Sequence, residues 1–240
     1  MWLKITNNYS PNFSLPKRSN NKIKYIIIHY TGMKSEKAAI KRLTNFKSEV
    51  SCNYFIKKNG KIITMVPDLY IAWHAGVSFW KNFSSLNKNS IGIEINNPGH
   101  DFKYKKFSKK QIKAILLLSK FLIKKYQILP ENILGHSDIA PNRKKDPGEK
   151  FPWKKLARLN LAIWHKISET NLKKNRLKII NTNEEKNFFK NLFKIGYSKK
   201  VLNKKTLVSA FQRRFRQDLI SGIIDKECLI ISHNLVKKLN

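Results

Sequence analysis

The chain has 240 residues and carries 49 Lys and Arg against 15 Asp and Glu, a formal net charge of +34. So large a basic excess raises a nucleic-acid partner, but the lysines are spread through every segment, travel with abundant Asn and Ile as a coding bias would have them, and form no aromatic-interleaved basic motif or DNA-reading helix, so no specific nucleic-acid binding is expected. No segment approaches the ~20 apolar residues of a transmembrane helix, and Cys52 and Cys228, which read as lying in different domains, are not expected to pair.

Residues 1–21, with Pro11, Pro16 and many Asn and Ser, read as an irregular arm. Its start, Met1-Trp2-Leu3-Lys4-Ile5, has no apolar core of signal-peptide length and no lipobox cysteine, which favours the cytoplasm and leaves the periplasm to a missing presequence or a non-standard route. Lys24 to Tyr30 is a short apolar run and reads as a buried strand. Ser35 to Phe46 has helical spacing of Ala38, Ala39, Leu43 and Phe46 behind a Ser35 cap. Tyr54-Phe55-Ile56 and Ile62 to Val66 flank Lys57-Lys58-Asn59-Gly60-Lys61, an Asn-Gly hairpin signal. Ile91 to Ile95 is a further buried strand, and Ser108 to Tyr126 a long amphipathic helix with Ile112, Ile115, Leu116, Ser119 and Leu122 on one side. Interleaved strands and helices imply an α/β domain over 22–168 with a mixed central β-sheet flanked by helices, closed by the helical spacing of Leu156, Leu159, Ala162 and Ile163.

Residues 169–185 turn polar and charged and read as a linker. From 186 to 240 follow Leu192-Phe193-Lys194-Ile195-Gly196-Tyr197, then Ala210-Phe211-Gln212-Arg213-Arg214-Phe215, then Gly222-Ile223-Ile224-Asp225 and a last apolar helix. This reads as a small all-α three-helix domain with a separate core. It lies near the lower size limit of an independent fold, which makes docking on the first domain plausible.

The stretch from Gly135-His136-Ser137-Asp138 to Asp146-Pro147-Gly148 brings an imidazole and a carboxylate onto one loop. His29, at the end of the first buried strand, supplies a third partner. An isolated histidine there is more often an ordinary satisfied polar residue, and Asp146 alone would be an ordinary turn residue before Pro147-Gly148. Together the three form a set of two neutral imidazoles and one carboxylate, which holds Zn2+ and leaves a fourth position for water, whose pKa zinc brings to about 7.

These segments, with Ala72-Trp73-His74-Ala75-Gly76 and Ser90-Ile91-Gly92-Ile93-Glu94-Ile95 between them in the same order, resemble the zinc N-acetylmuramoyl-L-alanine amidases of the type 2 amidase family over roughly 22–164. The resemblance implies a bacterial hydrolase that cuts the amide between N-acetylmuramic acid and the L-alanine of the stem peptide, with peptidoglycan or muropeptides as partners. The tail is similar to small peptidoglycan-binding domains through its Ile-Gly-Tyr start, Ala-Phe-Gln-x-x-Phe helix and Gly-x-x-Asp turn. Family members with such a tail accept both anhydro and ordinary muramic acid, whereas cytosolic single-domain members are strict for the anhydro sugar; the tail points to the former and the missing export signal to the latter. A recognition protein that kept the fold and lost catalysis is the alternative, but such proteins commonly lack a ligand and this chain keeps all three. The oligomeric state is left open by the sequence.

Glu94 lies among apolar residues where burial raises a carboxyl pKa, which suits a group that takes a proton from the water and returns it to the leaving nitrogen. Lys144, two residues before Asp146, points to the same side in an extended segment and fits the oxyanion of the attacked carbonyl; Lys145 has the opposite parity. His74 stands open between ligand, acid and substrate contact, and the resemblance places it beside the zinc rather than on it. Asn96 offers amide donors and acceptors to the sugar or peptide, and Arg143 and Trp80 are further candidate substrate contacts, with core packing and surface exposure as equally good explanations for these two. A chain cut near Asn183 is expected to keep hydrolysis of small soluble muropeptides and to lose activity on intact sacculi, because all the proposed chemistry precedes Trp153.

Overall fold

Strands that are apolar on both faces pair in parallel with helices covering them, and the runs at Tyr25 and Ser90 do so at the centre of this molecule. A computed structural model describes residues 4–239; Met1, Trp2 and Leu3, where the arm begins, and Asn240 lie outside the described residues. The strands are β1 (Ile5–Asn7), β2 (Phe13–Ser14), β3 (Tyr25–Tyr30), β4 (Tyr54–Ile56), β5 (Ile62–Thr64), β6 (Ile71–Ala72), β7 (Phe79–Trp80), β8 (Phe83–Ser84), β9 (Ser90–Ile95) and β10 (Ile133–Gly135). The helices are α1 (Glu36–Leu43), α2 (Lys109–Tyr126), α3 (His136–Ile139), α4 (Trp153–Arg158), α5 (Glu169–Asn175), α6 (Thr182–Ile195), α7 (Lys204–Phe215) and α8 (Lys226–Leu239).

Six strands form one mixed sheet in the order β1-β5-β4-β9-β3-β10, parallel throughout except for the β4–β5 hairpin. The hairpin turns on Gly60, whose φ of +81° a side chain would strain. Period-two alternation sorts the central strands. Ile26 and Ile28 of β3 and Ile91, Ile93 and Ile95 of β9 share a core with Ala114, Ile115, Leu118 and Leu122 of α2. The opposite face of the same strands carries His29, paired in register with Glu94, while Ile27 pairs with Gly92 and Tyr25 with Ser90. The sheet thus delivers a histidine, a carboxylate and two small residues to one side. α2 is capped as its sequence allows: the Ser108 hydroxyl accepts from the Gln111 amide and the Gln111 side chain from the Ser108 amide.

Several segments differ from their sequence reading, and the spacing of Leu156, Leu159, Ala162 and Ile163 yields only the short α4, which ends at Arg158. The arm is not irregular throughout: β1 pairs with β5, and the amides of Asn8 and Ser10 donate to the carbonyls of Thr64 and Met65. A strand this short, set among Asn and Pro, has no periodicity to betray it. Phe46 lies outside α1 and is largely exposed. The segment read as a linker holds α5, with the Ser168 hydroxyl at its N-cap and Leu172 buried.

The C-terminal helices do not have a core of their own. Phe188, Leu192, Phe211, Phe215, Ile231 and Leu235 are continuous with Tyr25, Ile27, Leu134 and Ile139 from the sheet side. A unit of this size lies near the lower limit of an independent fold, and the helices complete their core on the face of the sheet opposite α2. Trp80 sits at this seam, 1% exposed, with its ring against Tyr197 at 4.9 Å between centroids. Gly196 is required beneath it, since an added Cβ would lie 2.5 Å from the indole.

Candidate metal centre and its cleft

β3 ends on His29, β10 runs directly into His136 at the head of α3, and β10 lies beside β3 with Gly135 opposite Ile28. Two histidines remote in sequence therefore emerge side by side at one edge of the sheet. Asp146 returns to them because the Ser137 amide donates to its carbonyl at 2.8 Å. The three side chains are buried, and their ligand atoms converge: His29 Nδ1 lies 2.9 Å from His136 Nδ1 and 3.0 Å from Asp146 Oδ2, and His136 Nδ1 lies 3.1 Å from the same oxygen.

The surrounding hydrogen bonds assign the tautomers. His136 Nε2 faces the carbonyl of Ala75 at 3.1 Å and must donate to it, so Nδ1 is left with its lone pair. Ser90 donates its hydroxyl to the Leu86 carbonyl at 2.6 Å, so its oxygen accepts from His74 Nε2 at 3.3 Å. Burial and the neighbouring His29 hold the His74 imidazole well below its ordinary pKa, hence neutral, so its Nδ1 accepts from His29 Nε2 at 3.0 Å. His29 Nδ1 is then also a lone pair. Burial, with His136 adjacent, lowers the His29 pKa to about 4.

Three electron-pair donors therefore meet with no proton left to place between them. Such a cluster is repulsive alone and is satisfied by a cation, and donors about 2.0–2.2 Å from one tetrahedral ion lie roughly 3.3 Å apart. His29, His136 and Asp146 fit a metal ion on this ground. His74 is not among the ligands; it stands behind His29, in space that exists because residue 92 is glycine, where a Cβ would lie 2.4 Å from the imidazole.

The cluster lies at one wall of an open cleft of about 490 Å³, lined also by Tyr30, Arg42, Trp73, Glu94, Arg143 and Lys144. Burial, then repulsion from Asp146, raises the Glu94 carboxyl to about 8, and its Oε2 is sealed from solvent without a hydrogen-bond partner. Lys144 and the more exposed Lys145 both reach the cleft. Arg143 lines it too, but its guanidinium is engaged with the carbonyls of Ala75 and Val77, shaping the wall that holds His136.

Trp80 is corrected from cleft to seam: it is buried beneath Gly196 and Tyr197 and is not a lining residue. Asn96 does not line the cleft either; its backbone is tied to Ile56 and Gln111 at the start of the following loop. The sequence reading passed over Ser90 and Arg42. Ser90 shares the parity of Gly92 and Glu94 and was legible in that alternation, whereas Arg42 is one cation among 49 Lys and Arg and carries no distinguishing mark.

Residues 19–149 match the family described as N-acetylmuramoyl-L-alanine amidase. The chain is 34% identical over 233 residues to N-acetylmuramoyl-L-alanine amidase AmiD of Escherichia coli (strain K12), covering 90% of this chain and 83% of that protein. It is 37% identical over 111 residues to 1,6-anhydro-N-acetylmuramyl-L-alanine amidase AmpD of Enterobacter cloacae, covering 45% of this chain and 55% of the relative. The solved complex of the E. coli AmiD with anhydro-N-acetylmuramic acid-L-Ala-D-gamma-Glu-L-Lys superposes with a TM-score of 0.81 at 31% identity, over 94% of this chain and 93% of that one.

Proposed function

The chain belongs to the N-acetylmuramoyl-L-alanine amidase family, and on that premise we propose that His29, His136 and Asp146 hold zinc and that the cleft hydrolyses the bond between N-acetylmuramic acid, ordinary or 1,6-anhydro, and L-alanine in muropeptides or peptidoglycan. The observation that carries the reading is the meeting of three lone-pair donors within 2.9–3.1 Å of one another beside a partnerless carboxyl. Two imidazoles and a carboxylate make a hydrolytic rather than a structural donor set, because three protein ligands leave a position for water. Zinc in this place supplies a water of pKa about 7 and polarises the scissile carbonyl.

The chain's own residues supply the rest. Glu94, opposite His29 in the sheet register, accepts a proton at its carboxylate and returns it to the departing alanine nitrogen. Lys144 places an ammonium where charge develops on the attacked carbonyl oxygen. The hydrogen-bond chain from Leu86 through Ser90 and His74 keeps His29 in the tautomer a ligand needs. Arg42, Arg143 and Lys145 give the cleft a cationic rim suited to the carboxylates of a stem peptide. The division into an amidase unit over 22–168 and a helical unit over 186–240 that holds wall polymer belongs to the same proposal.

The decisive experiment is mass spectrometry of peptidoglycan and of anhydro-muropeptides digested with zinc-loaded and with chelated protein. Release of free L-Ala-led stem peptides by the loaded protein alone is the expected result. Products cut at any other bond, or equal release after chelation, would overturn it.

A further inference from the structure

α7 lies along the outside of the loop that carries two of the three donors. Thr206 contacts Asn142 at 2.8 Å, Arg213 approaches Glu149 at 3.9 Å, and Gln217, just past the helix, donates to the Phe151 carbonyl at 2.8 Å. The firmest grip is at Asp138, two residues after His136. Asp138 is 1% exposed, and its Oδ1 accepts from the Tyr197 hydroxyl at 2.8 Å. Its Oδ2 accepts from the Gly135 amide at 2.7 Å and from Arg214 Nη1 at 2.6 Å.

Arg214 is 2% exposed, lies 4.5 Å over the Trp153 ring, and donates its other terminal nitrogen to the Ile133 carbonyl at 2.8 Å. One guanidinium thus bridges the first residue of β10 and the carboxylate just beyond its end, bracketing Gly135 and His136. The bracket leaves little slack. A Cβ on Gly135 would lie 2.8 Å from Pro147, the neighbour of Asp146, so the turn that aims His136 is packed directly against the backbone that aims Asp146.

We propose that the C-terminal helices are a working part of the metal centre, with Arg214 and Tyr197 as positioning residues that hold Asp138 and through it the His136 turn. The helices are therefore more than a holder of substrate polymer. A carboxylate buried this completely needs its cationic partner, and removing that partner alone leaves an uncompensated charge. The chain relieves it by moving Asp138 toward solvent, and the turn moves with it. Loss of a residue that hydrogen-bonds a ligand directly typically weakens metal binding by about 10- to 100-fold, and the loss of Arg214, which cancels a buried charge two residues from His136, is set against that scale.

The inference rests on the metal reading, and the test separates the two. Zinc affinity is measured on the full chain by competition with a chromogenic chelator, alongside the kcat and KM split and circular dichroism, for wild type, Arg214→Met, Tyr197→Phe and the double variant Arg214→Met with Asp138→Asn. Arg214→Met is expected to keep its helical signal and bind zinc about 10- to 100-fold more weakly. Tyr197→Phe, which loses one hydrogen bond and keeps its packing, loses less. The double variant recovers most of the affinity, because an amide keeps the bond from Gly135 without the stranded charge.

Arg214→Met and Tyr197→Phe binding zinc as tightly as wild type would overturn the proposal, as would a loss that Asp138→Asn does not repair. Should Arg214→Met fail to fold, a weakened zinc affinity in folded Tyr197→Phe supports the proposal and an unchanged one overturns it. Wild type that holds no zinc overturns the metal reading itself, and the proposal with it.

Discussion

Glu94 is held in a place that does not suit its charge. Burial and the nearby Asp146 raise its carboxyl to about 8, against Lys144 and Arg42, which pull the other way. A cation held by His29, His136 and Asp146 would lower that value and bring the carboxyl into the range where it can both take and give a proton. Glu94→Gln is expected to retain zinc and to lose turnover by about 10²- to 10⁴-fold, with the acid limb of the kcat/KM profile flattened; near-normal rates would remove Glu94 from the chemistry. The same residue makes a prediction for the metal-free chain. Its folded pKa of about 8 lies above its ordinary 4.5, so its contribution to stability is complete below 4.5 and is lost as pH rises through 8. Melting curves of the metal-free proteins should therefore show Glu94→Gln gaining on wild type between pH 5 and pH 9. A gap that stays constant would mean the carboxyl is not strained in the fold.

The strand that carries Glu94 shows how much of the site is written locally. In Ser90-Ile91-Gly92-Ile93-Glu94-Ile95 the three isoleucines enter the core under α2, while serine, glycine and glutamate face the donors. Those three act in different ways, since Ser90 orients His74, Gly92 makes room for it, and Glu94 faces the cleft. Gly92→Ala tests the middle one. Alanine is tolerated in a strand, but its Cβ would enter the His74 ring at 2.4 Å and push it off His29. The expected outcome is a protein with wild-type circular dichroism whose zinc affinity and turnover both fall by about 10-fold or more; unchanged affinity would show that His29 needs no support from behind. His29, His136, Asp146 and Glu94 were legible because strand ends and a Gly-His to Asp-Pro-Gly loop mark them within short windows. The Asp138–Arg214 pair was not, since 76 residues separate its members and neither stands out in a chain so rich in cations. β1 escaped for another reason: three residues among Asn and Pro have too little pattern to read.

At the scale of the whole molecule the main revision concerns the tail, whose residues read as two things at once. Ile195-Gly196-Tyr197 and the Ala210-Phe211-Gln212 helix match the marks of a wall-binding unit, yet here Gly196 seats Trp80, Tyr197 binds Asp138 and Phe211 joins a core shared with β3. From the sequence, a cut near Asn183 should spare the hydrolysis of small muropeptides. The shared core argues for the opposite outcome. Such a cut would bare Tyr25, Ile27, Trp80, Leu134 and Ile139, all nearly or fully buried in the intact chain, and would strip Asp138 of both its partners from the helices. An exposed apolar face of that kind drives aggregation, and a buried carboxylate without its cation disturbs the His136 turn. The chain ending at Asn183 should therefore melt lower, self-associate, and lose activity on small soluble muropeptides as well as on sacculi. Light scattering, a thermal melt and digestion of an anhydro-muropeptide measure all three. A truncated chain that stays monomeric and cleaves the small substrate at the full rate would return the tail to the role of a detachable holder, because the donors would then have kept their geometry with nothing behind the sheet to brace them.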